Sequence, residues 1–237
     1  MVDPNALLLK QHFKQINHSL EPIVPRLNSR ATAIVLRSVL FIASLAPLLL
    51  LAWKGFEGSL SANPISDITN ETGLWTLRFV VLTLAISPLR KITGWHSIIK
   101  FRRMIGLFAF FYGTLHFTTY IWLDQFFDWQ AILHDIPKRP FITVGFASFA
   151  LMIPLAITST QKMIRRLGGK KWDLLHRLVY ITAVGGVIHY LWLVKVVTYR
   201  QIAYAVGVGL LLLFRVVWKY RYLLFNSRQI SKETISA

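Results

Sequence analysis

Apolar residues fall into six long runs along the chain, and shorter polar or charged segments separate one run from the next. A helix that crosses the hydrocarbon core of a bilayer needs about 20 mostly apolar residues. The six runs lie at Ala33–Trp53, Leu74–Leu89, Met104–Leu123, Phe141–Ser159, Leu174–Val194 and Ile202–Val217. The second run is the shortest and is bounded by Ser87-Pro88. The pattern predicts an all-α membrane protein in which residues 33–217 form one six-helix transmembrane bundle, flanked by residues 1–32 and 218–237.

Positive charge is concentrated in alternate connecting segments. The whole formal charge of +17 is carried by the N-terminal segment, the connections after the second and fourth runs, and the C-terminal segment. The charges of the other connections sum to zero. Cytoplasmic loops of membrane proteins carry the excess of Lys and Arg. We therefore expect residues 1–32 and 218–237 to be cytoplasmic, and the charge requires no nucleic acid as a partner.

Composition excludes several kinds of chemistry. Charged residues make up 16% of the chain, against about 25% in a soluble domain. The absence of cysteine excludes disulfides, Cys-ligated iron–sulfur clusters and covalently attached c-type haem. There is no glycine-rich nucleotide-binding pattern, since Gly168-Gly169 indicates only a turn. The chain is therefore not expected to carry an NAD(P)H domain of its own.

Two histidines lie at matched depth inside the predicted bundle. His116 is in the third run and His189 in the fifth, and these two helices run in the same direction. Counting residues to the outer ends places both side chains in the outer half, within about 5 Å of each other in depth. Such a pair is expected to clamp one haem iron from both faces. The alternative is that each imidazole only hydrogen-bonds a neighbouring helix, and zinc would need further ligands.

A third histidine, His176, lies about 20 Å deeper than His189, near the inner surface. The position on the third helix that should supply its partner is near Arg102 and Arg103, and arginine is not a haem ligand. Either a second haem takes an unusual ligand, or another group such as an anionic flavin occupies this half. The basic residues around it are Arg90, Arg102, Arg103, Arg165, Arg166 and Lys171. Positive-inside topology is the alternative explanation for them.

Other charged residues also have two interpretations each. Arg78, about one turn inside the outer end of the second run, is placed to pair with a haem propionate or to reach the outer interface by snorkelling. An acidic group in an outer loop, next to two basic residues, is either a docking surface for a partner or a solvated loop. Its members are Asp124, Asp128 and Asp135, beside Lys138 and Arg139.

Eight short stretches, in this order and spacing, resemble one bacterial family. They are Leu74-Trp75-Thr76-Leu77-Arg78, Ser87-Pro88-Leu89-Arg90, Arg102-Arg103-Met104-Ile105-Gly106-Leu107, Tyr112-x-x-x-His116, Asp135-Ile136-Pro137-Lys138-Arg139-Pro140, Pro154-Leu155-Ala156-Ile157-Thr158-Ser159, Leu174-Leu175-His176-Arg177-Leu178-Val179-Tyr180 and His189-Tyr190-x-Trp192-x-x-Lys195. The chain resembles the MsrQ (YedZ) family over about residues 74–195. That family comprises haem-binding membrane subunits within the ferric-reductase-like transmembrane superfamily.

The resemblance implies a location, cofactors and partners. It implies a multi-pass protein of the bacterial inner membrane that binds b-type haem through His116, His176 and His189 and is associated with FMN. It also implies that electrons come from the quinone pool or a cytosolic flavin reductase and pass to MsrP, a periplasmic molybdopterin methionine sulfoxide reductase. Relatives with two haems carry two histidines on each of the two helices, whereas the third helix here has one.

We therefore expect a transmembrane electron conduit, an electron-transfer subunit rather than the catalytic subunit. Electrons would enter at the basic inner face, reach the haem held by His116 and His189, and leave to the periplasmic partner. One alternative is a quinol-oxidising cytochrome b subunit of another reductase. The other is a haem-free, proton-coupled transporter whose histidines relay protons.

Overall fold

The computed structural model describes the backbone of residues 30–235 and the side chains of residues 31–220. Within these residues, six helical segments are long and apolar enough to cross a membrane. They are Ala31–Phe56, Pro64–Thr93, His96–Asp124, Pro140–Ile157, Gly169–Leu193 and Tyr199–Tyr220, called here the first to sixth spans. The predicted all-α bundle of six transmembrane helices is confirmed. Most of the N-terminal segment expected at residues 1–32 lies outside the described residues.

Several spans are assembled from more than one helical element. The third consists of a 3-10 turn at His96–Phe101, an α-helix at Arg102–Thr119 and a π-helical turn at Tyr120–Asp124. The fifth contains helices Gly169–His176 and Leu178–Leu193. The sixth belongs to a helix that continues to Ile235. Two short helices outside the spans, Trp129–Lys138 and Gln161–Leu167, occupy the connections on either side of the fourth span, whose helix is Pro140–Ile157.

The second span is longer than its apolar run, so the prediction that it is the shortest span is wrong. It is a helix of 30 residues, from Pro64 to Thr93, because polar residues of the preceding connection form its first turns. The side chain of Asn63 accepts a hydrogen bond from the Ser66 N–H and caps the helix. Pro64 stands at the helix start, where its missing N–H costs nothing. At the other end the helix passes through Pro88 and stops at the left-handed Gly94.

Two side chains from other spans complete the backbone hydrogen bonding beside prolines. The Tyr112 hydroxyl donates to the Ser44 carbonyl over 2.8 Å and accepts from the Leu48 N–H over 3.2 Å, next to Pro47 in the first span. Arg215 of the sixth span donates to the carbonyl of Leu84, four residues before Pro88. Proline has no N–H for that carbonyl, and an unpaired carbonyl in the membrane is costly. Arg215, counted with the basic C-terminal segment in the charge pattern, therefore points into the bundle.

Helix packing leaves the interior small and the exterior apolar. The second span packs mainly on the third, and the fourth mainly on the fifth. A ring cluster from the second and third spans forms the centre of the core: Phe79 stacks on Tyr112 at 5.3 Å between ring centres and on Phe108 at 5.7 Å. Exposed side chains along the spans are largely apolar, for example Phe41, Leu49, Leu82 and Leu213. This distribution suits lipid as the surrounding solvent.

Candidate functional site

The structure brings His116 and His189 together. His116 lies near the end of the third span and His189 near the end of the fifth. Their ring centres are 6.0 Å apart and their planes cross at 75°. Residue counting predicts that the two histidines lie at similar depth, and in the structure their rings also lie next to each other.

Each ring is held by a backbone carbonyl of a neighbouring span. Nδ1 of His116 lies 2.9 Å from the carbonyl oxygen of Thr69 in the second span. Nδ1 of His189 lies 2.6 Å from the carbonyl oxygen of Phe141 in the fourth span. A carbonyl only accepts, so Nδ1 carries the proton in both rings and Nε2 keeps its lone pair. In the part of the chain that the structure describes, Nε2 of neither ring has a hydrogen-bond partner.

The spacing of the two rings fits one metal ion shared between them. A metal–imidazole nitrogen bond is about 2 Å long, so two imidazoles on opposite sides of an ion have ring centres roughly 6 Å apart. Among residues 31–220 no group of three or more His, Cys, Asp or Glu side chains converges. The described residues then supply two ligands at this place, and the other positions of a six-coordinate ion would need a ligand from elsewhere. A porphyrin, with four nitrogens in a plane, meets that requirement.

His176 lies in a separate cavity, together with the arginines predicted near it. The cavity of about 280 Å³ lies between the second, third, fourth and fifth spans, and its lining includes His176, Arg102, Arg103 and Trp172. Nε2 of His176 is 3.1 Å from the Thr158 hydroxyl. The ring stacks on Trp172 with 3.8 Å between ring centres. We call the end of the bundle that holds these residues the basic end.

The other four basic residues of the predicted flavin environment stand apart from this cavity. Arg90 is half-buried and Lys171 is exposed. Neither belongs to the lining of the cavity, and Arg165 and Arg166 are exposed as well. The structure therefore gathers Arg102, Arg103 and His176 into one place and leaves the other basic side chains at the surface of the basic end.

Arg78 contacts the sixth span. Its Nε donates to the Tyr204 hydroxyl over 3.3 Å, and its guanidinium lies 4.3 Å from the centre of the Trp75 ring. Tyr204 in turn packs edge-on against Tyr190, the residue after His189, at 5.9 Å between ring centres. Arg78 is thus tied to the neighbourhood of the histidine pair through aromatic side chains, and pairing with a haem propionate stays a prediction.

The acidic residues of the predicted docking surface have partners within their own loop. Asp128 caps the helix Trp129–Lys138 by accepting from the Ala131 N–H at 3.0 Å. Asp135 forms an ion pair with Arg139 at 2.8 Å and accepts from the Tyr120 hydroxyl at 3.2 Å. Asp124 contacts the neighbouring Gln125 amide and is exposed. These carboxylates therefore have folding roles, and Asp124 is the one most available to a partner.

Sequence reasoning missed the residues that support the site. A tryptophan next to the end of an apolar run indicates only an interface position, yet Trp172 stacks on His176. Arg215 could have been found, because it is a cation at the end of a long apolar run and such residues have specific partners. Thr69 and Phe141 accept from the two rings through backbone oxygens, and the Phe141 ring also lies 6.1 Å from the His189 ring. Every residue has a backbone oxygen, so the sequence carries no signal of the acceptor role.

Comparison with known proteins places this chain in a family. The family model described as ferric reductase like transmembrane component matches residues 72–187, which include His116 and His176 and end just before His189. A protein of Herminiimonas arsenicoxydans is 52% identical over 189 residues, covering 79% of this chain and 87% of its own length. One of Azospira oryzae is 54% identical over 187 residues, covering 78% and 80%. One of Rhodospirillum rubrum is 50% identical over 181 residues, covering 76% and 87%. All three bear the name protein-methionine-sulfoxide reductase heme-binding subunit MsrQ.

Proposed function

The chain belongs to the MsrQ family of heme-binding subunits of protein-methionine-sulfoxide reductase, and we propose that it is a transmembrane electron carrier with a b-type haem held by His116 and His189. The observation that carries the proposal is the pair of imidazoles with ring centres 6.0 Å apart. A bound haem would supply a one-electron carrier. His116 and His189 would hold the haem, with their tautomers set by the neighbouring carbonyls and an apolar bundle around them.

The ligand arrangement supports electron transfer rather than oxygen chemistry. His116 and His189 come from two separate spans, and their ring centres lie 6.0 Å apart with the ring planes at 75°. His116 and His189 would together hold the haem, and an iron held by two imidazoles would leave no position for O₂. Their Nδ1 hydrogen bonds to carbonyls fix the ring orientation. The protein is then a conduit, and the chemistry on methionine sulfoxide belongs to its partner.

We propose that electrons enter at the basic end and leave at the opposite end. The cavity lined by Arg102, Arg103 and His176 supports entry there, since guanidinium groups suit the phosphate of FMN. The donor is quinol or a cytosolic flavin reductase, and the acceptor is the periplasmic molybdopterin reductase MsrP. Because Lys and Arg mark the cytoplasmic side, this direction corresponds to an inner-membrane protein with both termini in the cytoplasm.

The experiment that tests haem ligation uses the full-length protein purified from membranes. Haem and flavin are quantified per chain, and absorption spectra are compared for wild type, His116→Ala, His189→Ala and His176→Ala. We expect His116→Ala and His189→Ala each to abolish the low-spin b-type spectrum, and His176→Ala to retain it. Retention of that spectrum in both pair variants would overturn the ligand assignment. A colourless wild-type protein would favour the proton-coupled transporter.

A second measurement tests the direction and the partner. The protein is placed in proteoliposomes with MsrP outside, and a flavin reductase with NADPH or a quinol supplies electrons inside. We expect reduction of methionine sulfoxide to require both MsrP and the histidine pair. Reduction by the same donor of a different periplasmic reductase, and not of MsrP, would favour the cytochrome b subunit of another system.

A further inference from the structure

We propose that Gly73 and Gly145 are positioning residues that seat the two ligand imidazoles against the carbonyls that orient them. The inference rests on the proposed ligation of haem by His116 and His189. Gly73 is in the second span and Gly145 in the fourth, so each belongs to the helix that supplies the carbonyl and not to the helix that supplies the histidine.

The rings lie where a side chain would otherwise be. A Cβ atom added at Gly73 would be 2.9 Å from Cε1 and 3.0 Å from Nδ1 of His116. A Cβ atom added at Gly145 would be 2.6 Å from Nδ1 and 2.8 Å from Cε1 of His189. Cβ atoms in proteins essentially never come within 3.0 Å of another side chain. If alanine replaced either glycine, the imidazole would therefore have to move away from the helix that carries the glycine.

The spacing between acceptor and glycine is the same at both places. Thr69 precedes Gly73 by four residues, and Phe141 precedes Gly145 by four. In an α-helix the N–H of residue i+4 donates to the carbonyl of residue i, and the Cβ of residue i+4 leans back over that turn. A glycine at i+4 thus leaves the carbonyl of residue i open to a second donor from another helix. Two separate helix pairs build this arrangement, each around one ligand histidine.

Close approach at a glycine is not confined to the histidines, since a Cβ atom added at Gly185 would clash with the Ser148 hydroxyl, but it is not general in these spans. Gly186, in the same span as His189, would place an added Cβ 3.6 Å from Leu77, which is normal van der Waals distance. Gly106, in the same span as His116, would meet Thr83 at 3.7 Å. At Gly73 and Gly145 the close neighbour is the imidazole itself. These glycines therefore determine how near each Nδ1 comes to its carbonyl.

The hydrogen bond affects the iron through the ring. An imidazole that donates its Nδ1 proton to a carbonyl is a more basic ligand at Nε2. A more basic ligand stabilises ferric over ferrous iron and so lowers the reduction potential. Displacing the ring by a few tenths of an ångström lengthens the hydrogen bond and should raise the potential. This change is separate from any loss of folding stability.

The test compares Gly73→Ala, Gly145→Ala and the control Gly186→Ala in the purified full-length protein. Haem content, the ferric electron paramagnetic resonance spectrum and the midpoint potential are measured for each. We expect both test variants to shift the low-spin signal and raise the midpoint potential, or to lose haem while staying monodisperse and helical. Gly186→Ala should match wild type. Identical potentials and spectra in all three variants would overturn the role of the glycines while leaving ligation by the histidines intact.

A chemical rescue keeps the proposal testable if an alanine variant does not fold. In His189→Gly, added 4-methylimidazole can bind the iron and still donate a proton to the Phe141 carbonyl, whereas 1-methylimidazole, of the same size, cannot. Since a hydrogen bond to a buried carbonyl contributes about 1 kcal/mol, 4-methylimidazole should restore the low-spin spectrum at about fivefold lower concentration. Equal affinities would overturn the proposal. A low-spin spectrum without any added ligand would instead overturn the ligation on which it rests.

Discussion

At the scale of single residues, the structure shows how polar groups are accommodated in an apolar bundle. The Tyr112 hydroxyl stands between the Ser44 carbonyl and the Leu48 N–H, a pair that would bond directly in a regular helix. The side chain is 1% exposed, so its hydroxyl has no access to water. Its one donor and its acceptor capacity are both used within the protein.

Tyr112→Phe should therefore destabilise the bundle without altering the haem site. The substitution leaves two backbone groups of the first span unpaired, which should cost about 1 kcal/mol. Reversible unfolding in detergent measures the free energy of unfolding, and the absorption spectrum reports the haem. Tyr220→Phe, at a tyrosine that is 63% exposed, is the control. Equal stability of Tyr112→Phe and wild type would show that the Ser44–Leu48 bond closes without the hydroxyl.

At the scale of helical elements, Arg215 joins the sixth span to the second at the point where Pro88 interrupts the second span's hydrogen bonding. Arg215 donates to the Leu84 carbonyl and also to the Leu211 carbonyl, at 2.7 Å for the latter. Its guanidinium lies 5.5 Å from the centre of the Tyr180 ring in the fifth span. Pro88 creates the need for this contact, because it cannot donate to Leu84.

A double-mutant cycle tests the coupling between Arg215 and Pro88. Arg215→Gln alone should lower the free energy of unfolding by about 1–3 kcal/mol, since a buried carbonyl loses a charged donor. In a Pro88→Ala background the helix supplies its own N–H to Leu84, so the same change should cost less. The difference between the two costs is the interaction energy. Equal costs in both backgrounds would mean that Arg215 stabilises the bundle only through Leu211 and Tyr180.

Sequence reasoning captured the number of spans and the histidine pair because both follow from periodicity and counting. His116 and His189 could be matched because their helices run in the same direction, and depth along a helix scales with residue number. The start of the second span was missed because Asp67, Asn70 and Glu71 look like a loop until the Asn63 cap extends the helix over them. Contacts such as that of Gly145 with His189 depend on how neighbouring helices are rotated about their axes. Residue counting along one sequence does not give that rotation.

At the scale of the whole molecule, the two ends of the bundle differ in chemistry. The end with the histidine pair carries the acidic loop and the short helix Trp129–Lys138. The basic end carries the cavity of Arg102, Arg103 and His176. On the route we propose, an electron would travel from the cationic surroundings of this cavity to the end with the acidic loop, and a partner at each end would meet different contacts.

Asp124→Lys should weaken docking of the sulfoxide reductase while leaving haem content unchanged. Reversing a surface charge mainly changes the association rate, so the rate of electron delivery at low salt should change several-fold and converge with wild type at high salt. Glu57→Lys, an exposed acid at the same end, is the matched control. The same rate for both variants at every salt concentration would argue for a solvated loop rather than a docking surface.

Arg102→Gln should impair electron entry and spare the haem between His116 and His189. Arg102 lines the basic cavity, and its Nη1 lies 3.5 Å from the Ser87 hydroxyl, so most of its hydrogen-bonding capacity is open to a ligand. Loss of one charged contact to a phosphate, of about 1.5–3 kcal/mol, should weaken flavin binding by tenfold or more. Bound flavin and the rate of haem reduction by the cytosolic donor measure this effect, and direct chemical reduction by dithionite should be unaffected. The control is Lys100→Gln, because Lys100 is an exposed neighbour outside the cavity lining, and this variant should behave as wild type. If Arg102→Gln keeps full flavin content and a normal rate with the cytosolic donor, electrons enter by a route that bypasses this cavity.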